Sequence, residues 1–192
     1  RRTSRGLGDV YKRQVHDLAQ RLEDNRDRIS EWMAKKRSEV PIPIYGSVDI
    51  RDAGWKVAVV DANHFPAGFN NTSPEDEPHL SALLRNHINR KHGDCTWVHL
   101  YPESHTRNPG YVENLATLKR LIESAGFRCT VGSPELDSHG SLVGITGPLT
   151  LDSVEVEGDN LLVAGQKPCL VLLNNDLTCL LYTSDAADEP RC

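Results

Sequence analysis

The stretch that decides the fold is Thr96–Ser133, TWVHLYPESHTRNPGYVENLATLKRLIESAGFRCTVGS. TWVHLYP is a short apolar run of the kind that forms a buried strand. From Pro109 the pattern changes. Tyr111, Leu115, Leu118, Leu121 and Ile122 recur at helical spacing, so this segment is an amphipathic helix, and Gly126 stops it. FRCTVGS then reads as another strand. Strand, helix and strand joined by short links imply a right-handed crossover and a parallel sheet with helices on its faces.

Working upstream, WKVAVVDAN (55–63) is apolar on both faces through Val57, Val59 and Val60. Such a run predicts a strand in the middle of the same parallel sheet. FPAGFNNTSPED is a loop by its Pro, Gly and Asn content. Ser73 is placed to cap a helix begun by Pro74, with Asp76 three residues on, and the helical pattern runs on to Gly93. VHDLAQRLEDNRDRISEWMAKK, from Val15, reads as one amphipathic helix ended by the prolines of VPIPIYG. Downstream, LTLDSVEVEGDNLLVAG alternates around Gly158-Asp159, a hairpin signal, and CLVLLNNDLT returns to the buried-strand type. The expected fold is α/β and Rossmann-like: a mainly parallel sheet, helices on both faces, and a β-hairpin insertion.

The two ends belong to no pattern around them. Asp9–Gln14 can be written GAT GTG TAT AAG AGA CAG, and its reverse complement, read one base on, translates as Cys179–Ser184. An inverted repeat of this kind is the mark of a transposase-based sequencing adaptor, not of selection on protein. The expected organisation is an adaptor-derived tail at 1–14, an N-terminal α/β domain of a truncated gene at 15–178, and a second adaptor-derived tail at 179–192.

The chain carries 22 Lys and Arg against 27 Asp and Glu, a net charge of −5, and setting the ends aside makes it more acidic. That argues against nucleic acid as a partner, because phosphates need clustered cations. No apolar run reaches a membrane-spanning length. Cys95, Cys129 and Cys169 are scattered with no CxxC pair, which predicts reduced, buried thiols in a cytoplasmic protein.

Ligands of open parallel sheets bind outside the carboxyl ends of the strands. Each expected strand here ends in polar residues. The first gives Asp61, Asn63 and His64, then Asn70 and Asn71. The next gives Glu103, His105, Thr106, Arg107 and Asn108. The last gives Asn174, Asn175 and Asp176. Ahead of them stands GSVDIRDAG with Arg51. Asn and Asp also serve as ordinary turn residues, so local backbone bonding competes for each of them. A guanidinium at such a rim has the fork that fits a carboxylate or phosphate, and a surface ion pair is the alternative for Arg51 and Arg107. Glu103 is placed to hold a substrate ammonium or to orient Arg107. The histidines lack the spacing of a metal site, and no metal is assigned to this segment. The candidate substrate-binding set is Arg51, Asn63, Asn70, Asn71, Glu103, His105, Arg107, Asn175 and Asp176, suited to a small zwitterion. No catalytic residue is assigned, and there is no Walker loop, GxGxxG, GxSxG or HExxH.

In SVDIRDAGWKVAVVDANHFPAGFNN, PESHTRNPGYVENLATLKRLIESAGF and LLNNDLT the sequence resembles the N-terminal part of a bacterial glutamate–cysteine ligase family, the proteobacterial type grouped with the ATP-grasp enzymes. The resemblance implies a pre-ATP-grasp-type domain. It also implies the first step of glutathione synthesis, with glutamate and cysteine as substrates and ATP and Mg²⁺ as cofactors. The nucleotide and metal would be held mostly by domains later in the chain, so this segment alone would be inactive. The alternatives are a non-catalytic amino-acid-binding α/β domain and half of a nucleotide-sugar transferase.

Overall fold

The computed structural model describes residues 7–40, 42–104 and 107–174, with side chains given from residue 16 and not for 137–139. The chain divides into two compact units, residues 1–64 and 65–192.

In the first unit, helix α1 (Leu7–Asp24) gives way at Asn25 to helix α2 (Arg26–Glu39). The expected single helix is therefore two. Asn25 sits off helical geometry at φ −112°, ψ 12°, and its side-chain amide donates to Arg21 O at 2.8 Å, closing the end of α1. The next helix opens on the Ile29 N–H to Asn25 O bond of 2.9 Å. α1 crosses the expected boundary between residues 14 and 15 as one helix. The side chains of Val10 and Tyr11, and residues 175–192, lie outside the described residues.

Strands β1 (Ser47–Asp52) and β2 (Val57–Asn63) form an antiparallel pair with Ile50 opposite Val59. Here the expectation for 55–63 fails. β2 is not a strand of the parallel sheet; it pairs with the preceding segment through the tight turn at Ala53–Lys56. Gly54 makes that turn at φ 83°, with its N–H donating to Asp52 Oδ1 at 2.6 Å. Val57, Val59 and Val60 are all exposed. Apolar residues on both faces looked like burial on both faces, but the run only records that both faces can be covered.

The second unit holds the core. A turn at 73–76 carries the Asp76 N–H to Ser73 O bond of 2.9 Å, and the Ser73 hydroxyl accepts from Glu75 N–H at 3.4 Å. Helix α3 (Glu77–Lys91) starts after it, so Ser73 shapes a turn and does not cap a helix begun by Pro74. Strand β3 (Trp97–Pro102), helix α4 (Pro109–Ser124) and strand β4 (Arg128–Val131) form the expected crossover, with β3 and β4 parallel. The predicted stripe of α4 is buried throughout, and Gly126 ends the helix region at φ 97°.

Beyond β4 come the short antiparallel pair β5 (Ser141–Val143) and β6 (Pro148–Thr150), then the hairpin β7 (Val154–Glu157) and β8 (Asn160–Val163) turning at Gly158 as its sequence predicts. The last strand, β9 (Leu170–Asn174), pairs parallel with β3, so the sheet order is β4-β3-β9 and β3 is central.

α4 packs on β3 and β4, and α3 lies against α4. Trp97, whose side chain points to the opposite face from Val98, clusters with Val154 and Val163 of the β7–β8 hairpin. A hairpin thus packs where the sequence predicted a second helical layer.

Cys95 and Cys169 are joined in a disulfide, with Cα atoms 5.5 Å apart, and Cys129 is the free, buried thiol among the described residues. The expectation of three reduced thiols is corrected, and the inference to a reducing compartment loses its basis. The two cysteines stand just ahead of β3 and β9, where parallel pairing brings the strand starts side by side. Sequence spacing carries no trace of such a meeting.

Candidate functional site

The carboxyl ends of β3 and β9 are tied together by three buried side chains. Asn174, the last residue of β9, is 1% exposed, and Asn114, in the middle of α4, is fully buried. Asn114 Nδ2 donates to Asn174 Oδ1 at 3.3 Å, and Asn174 Nδ2 donates to Pro66 O at 3.1 Å. Asn114 Oδ1 accepts the Phe69 N–H at 2.9 Å. The Tyr111 hydroxyl donates to Asn174 O at 2.7 Å and accepts the Glu103 N–H at 2.9 Å. Residues of the segment 66–69, the end of β3 and the end of β9 are thereby held in one frame standing on α4.

The sequence-predicted residues fall unevenly on this frame. Asn70 and Asn71 lie in the 3-10 turn Phe69–Asn71, whose backbone the frame holds through Phe69. Asn70 Oδ1 is buried without a hydrogen-bond partner among the described residues. Glu103 is half-buried and held by its own N–H. Arg107 is exposed, next to Asn108, whose side chain accepts from Gly110 N–H at 2.9 Å and caps α4. Asn108 is thus spent on helix capping, the competing role noted for rim asparagines. Arg51 (in β1) and Asn63 (at the end of β2) belong to the first unit and are exposed. The argument that placed Asn63 at this edge, a shared parallel sheet, does not hold. His105, Asn175 and Asp176 lie outside the described residues.

Sequence reasoning missed Asn114 and Asn174 as buried polar groups and took Tyr111 for core alone. One signal was present. Asn114 sits on the same helical face as Tyr111 and Leu118, three residues before and four residues on, where an apolar residue is expected.

A second pair stands at this end of the sheet. The Tyr101 hydroxyl lies 3.0 Å from Glu135 Oε2. Burial, and then the Glu135 hydrogen bond and charge, push the Tyr101 hydroxyl up to about 12. Burial acts to raise Glu135, but its own backbone N–H and the Ser133 and Tyr101 hydroxyls outweigh it and hold the carboxyl below its ordinary value. Tyr101 is therefore a proton donor locked onto a carboxylate. No three His, Cys, Asp or Glu side chains converge as a metal site among the described residues.

The first unit has a groove of about 1210 Å³, lined by Leu18, Leu22, Ile29, Trp32, Trp55 and Val57 with charged side chains around them. Gln20 and Asn25 also line it, with their side-chain amides donating to Asp24 Oδ1 and to Arg21 O. No helix among the described residues is long and apolar enough to cross a membrane.

Comparison with known proteins places the chain in a family. No curated protein matches the chain. A solved structure of a candidate gamma-glutamylcysteine synthetase from Methylobacillus flagellatus KT is similar to it, with 32% sequence identity and a TM-score of 0.77. The similarity covers 86% of this chain and 40% of that one, so the chain spans less than half the length of that relative. The family model described as glutamate-cysteine ligase matches residues 19–183. The chain belongs to the glutamate–cysteine ligase family.

Proposed function

We propose that this chain supplies part of the glutamate-binding site of a glutamate–cysteine ligase, at the carboxyl ends of β3 and β9. In that reaction the side-chain carboxylate of glutamate is joined to the amine of cysteine as ATP is converted to ADP and phosphate. The observation that carries the reading is the Asn114–Asn174–Tyr111 frame. It fixes the segments bearing Asn70, Asn71 and Glu103 at the edge where α/β sheets take their ligands. Arg107 and Arg51 are proposed to face carboxylates, since a guanidinium can grip both oxygens at once. His105, Asn175 and Asp176 complete the proposed set at this edge, and Asn63, like Arg51 in the first unit, is proposed as a substrate contact independently of it.

The described residues do not fit ATP and Mg²⁺. Glu135 is engaged by Tyr101, no cluster of three metal-ligating side chains forms, and no glycine-rich loop stands at a helix start. The nucleotide and metal are proposed to be held by other parts of a longer enzyme, and the present chain is proposed to be inactive alone. What these residues do is bind and orient one substrate.

The test is a titration of the ¹⁵N-labelled chain with glutamate. Shifts confined to 69–71, 103 and the start of α4 support the reading, and the Arg107→Lys variant should weaken binding by about 1.5–3 kcal/mol. A flat titration, or shifts confined to the first unit, would place the site elsewhere. ADP release above background with glutamate, cysteine and MgATP would show that the chain is active by itself.

A further inference from the structure

We infer that Asn114 is a positioning residue for the proposed glutamate site: it fixes the Phe69–Asn71 turn from within α4. The inference rests on the reading above. Asparagine is a poor residue for a helix interior, because its side chain competes for backbone hydrogen bonds. Burying its amide is also unfavourable unless both ends are bonded. Asn114 accepts both disadvantages on the stripe that otherwise builds the core, between Tyr111 and Leu118.

Its bonds do not serve the helix. Oδ1 takes the Phe69 N–H, which opens the turn, and Nδ2 goes to Asn174, which in turn holds Pro66 O. Within the turn, the Asn71 N–H to Gly68 O bond of 3.0 Å and the Thr72 N–H to Phe69 O bond of 3.1 Å set its shape. Those bonds are local and fix nothing about where the turn sits. Asn114 supplies that fixed point from the rigid element beneath it. The turn also keeps Asn70 Oδ1 buried without a donor among the described residues. Two unfavourable features side by side are expected where a chain is shaped for a ligand and not for stability alone.

The experiment compares the chain with Asn114→Leu, Asn114→Asp and Thr117→Val. Leu keeps the volume and removes both bonds. Asp keeps the acceptor for Phe69. Thr117 is a buried polar residue on the same helix and serves as the control. Amide hydrogen exchange is read at Phe69 against Leu100 and Val131, together with glutamate affinity by NMR titration. Asn114→Leu should speed exchange at Phe69 by about tenfold or more while the strands keep their protection. It should also weaken glutamate by about tenfold. Asn114→Asp keeps the Phe69 acceptor but sets an oxygen against Asn174 Oδ1, so it should slow Phe69 exchange and strengthen glutamate binding relative to Asn114→Leu, and Thr117→Val should move neither. Unchanged exchange at Phe69 overturns the inference. So does unchanged glutamate affinity once that protection is gone. If the unsubstituted chain does not bind glutamate, the site reading fails, and exchange at Phe69 alone decides whether Asn114 holds the turn. Should Asn114→Leu not fold, Asn114→Ala gives the same readout.

Discussion

Asp152 and Val131 are joined twice: the Val131 N–H donates to Asp152 Oδ2 at 3.0 Å, and the Asp152 N–H donates to Val131 O at 2.8 Å. β4 is an outer strand of its sheet, and one residue of a following loop closes its free edge where another strand would sit. Removing the side chain in Asp152→Ala is expected to destabilise the chain by about 1–3 kcal/mol, because a buried N–H loses a charged acceptor. Asp152→Asn, which keeps an acceptor oxygen, should lose less. Urea denaturation midpoints check both.

The same approach leaves no room at Gly132. A Cβ there would meet the Asp152 carbonyl oxygen and the Val154 side chain. Gly132→Ala should cost about 1–3 kcal/mol by overpacking. Because backbone blocks the new methyl group, a compensating side-chain truncation, Val154→Ala, should not restore the denaturation midpoint.

Thr130 carries a polar relay across β3 and β4. Trp97 Nε1–H donates to Thr130 Oγ1 at 2.9 Å, Thr130 Oγ1 lies 2.9 Å from His99 Nδ1, and His99 Nε2 lies 3.0 Å from Gly132 O. A carbonyl can only accept, so Nε2 carries the proton and Nδ1 receives the threonine hydroxyl. Thr130→Val keeps the shape and strands two buried groups, at about 1–3 kcal/mol each. Thermal unfolding, with Thr130→Ser as the variant that should recover, measures it.

These elements divide by how directly the sequence encodes them. β3, α4 and β4 were legible because a change of period marks each boundary and Gly126 ends the helix. The β7–β8 hairpin was legible because Gly158 sits in the turn at φ 58°. β1 was read only as a polar rim, since Ser47, Asp49, Arg51 and Asp52 interrupt its apolar residues. β5 and β6 were not read at all, being three-residue strands in a glycine-rich stretch. The Asn114–Asn174 bond and the Cys95–Cys169 bridge join residues whose meeting depends on which strand lies beside β3, and periodicity along the chain is silent on that.

Acid should destabilise the chain in two windows. Burial holds His99 below its ordinary value, with the Gly132 carbonyl and then Asp152 opposing it. The unfolded chain therefore binds this proton more readily, and stability complete above about pH 6.5 falls as the pH drops below it. His87 is lowered too, by burial and then by Arg90, Lys91 and His92, and acts in the same sense. The Thr146 N–H, then its hydroxyl, hold Glu113 below its ordinary carboxyl value. Its contribution is present above about pH 4.3 and is lost as the pH falls through the lower folded value. Melting temperature against pH should show both losses. His99→Gln should flatten most of the upper one and Glu113→Gln should reduce the lower one.

The bridge between Cys95 and Cys169 spans 74 residues of sequence. Reducing it is expected to lower stability by about 2–4 kcal/mol, mainly by freeing the unfolded chain. Urea midpoints with and without reductant test this, and peptide mapping should find the pair. Burial pushes the Cys129 thiol up to about 12, so it should resist alkylation at pH 8 until the chain unfolds.

Order of synthesis gives β9 a further meaning. A growing chain can close β3, α4 and β4 early, because Trp97 reaches Thr130 across 33 residues. The other edge of β3 stays open until Cys169 arrives, 72 residues after Trp97. Pro66 waits longer still, with Asn174 emerging 108 residues behind it. The carboxyl-end edge shared by β3 and β9 is thus closed only after the other two strands of this sheet and α4 have emerged. A chain arrested before residue 170 would present the bare edge of its central strand to every neighbour, as an unpaired strand edge does in any aggregation-prone intermediate.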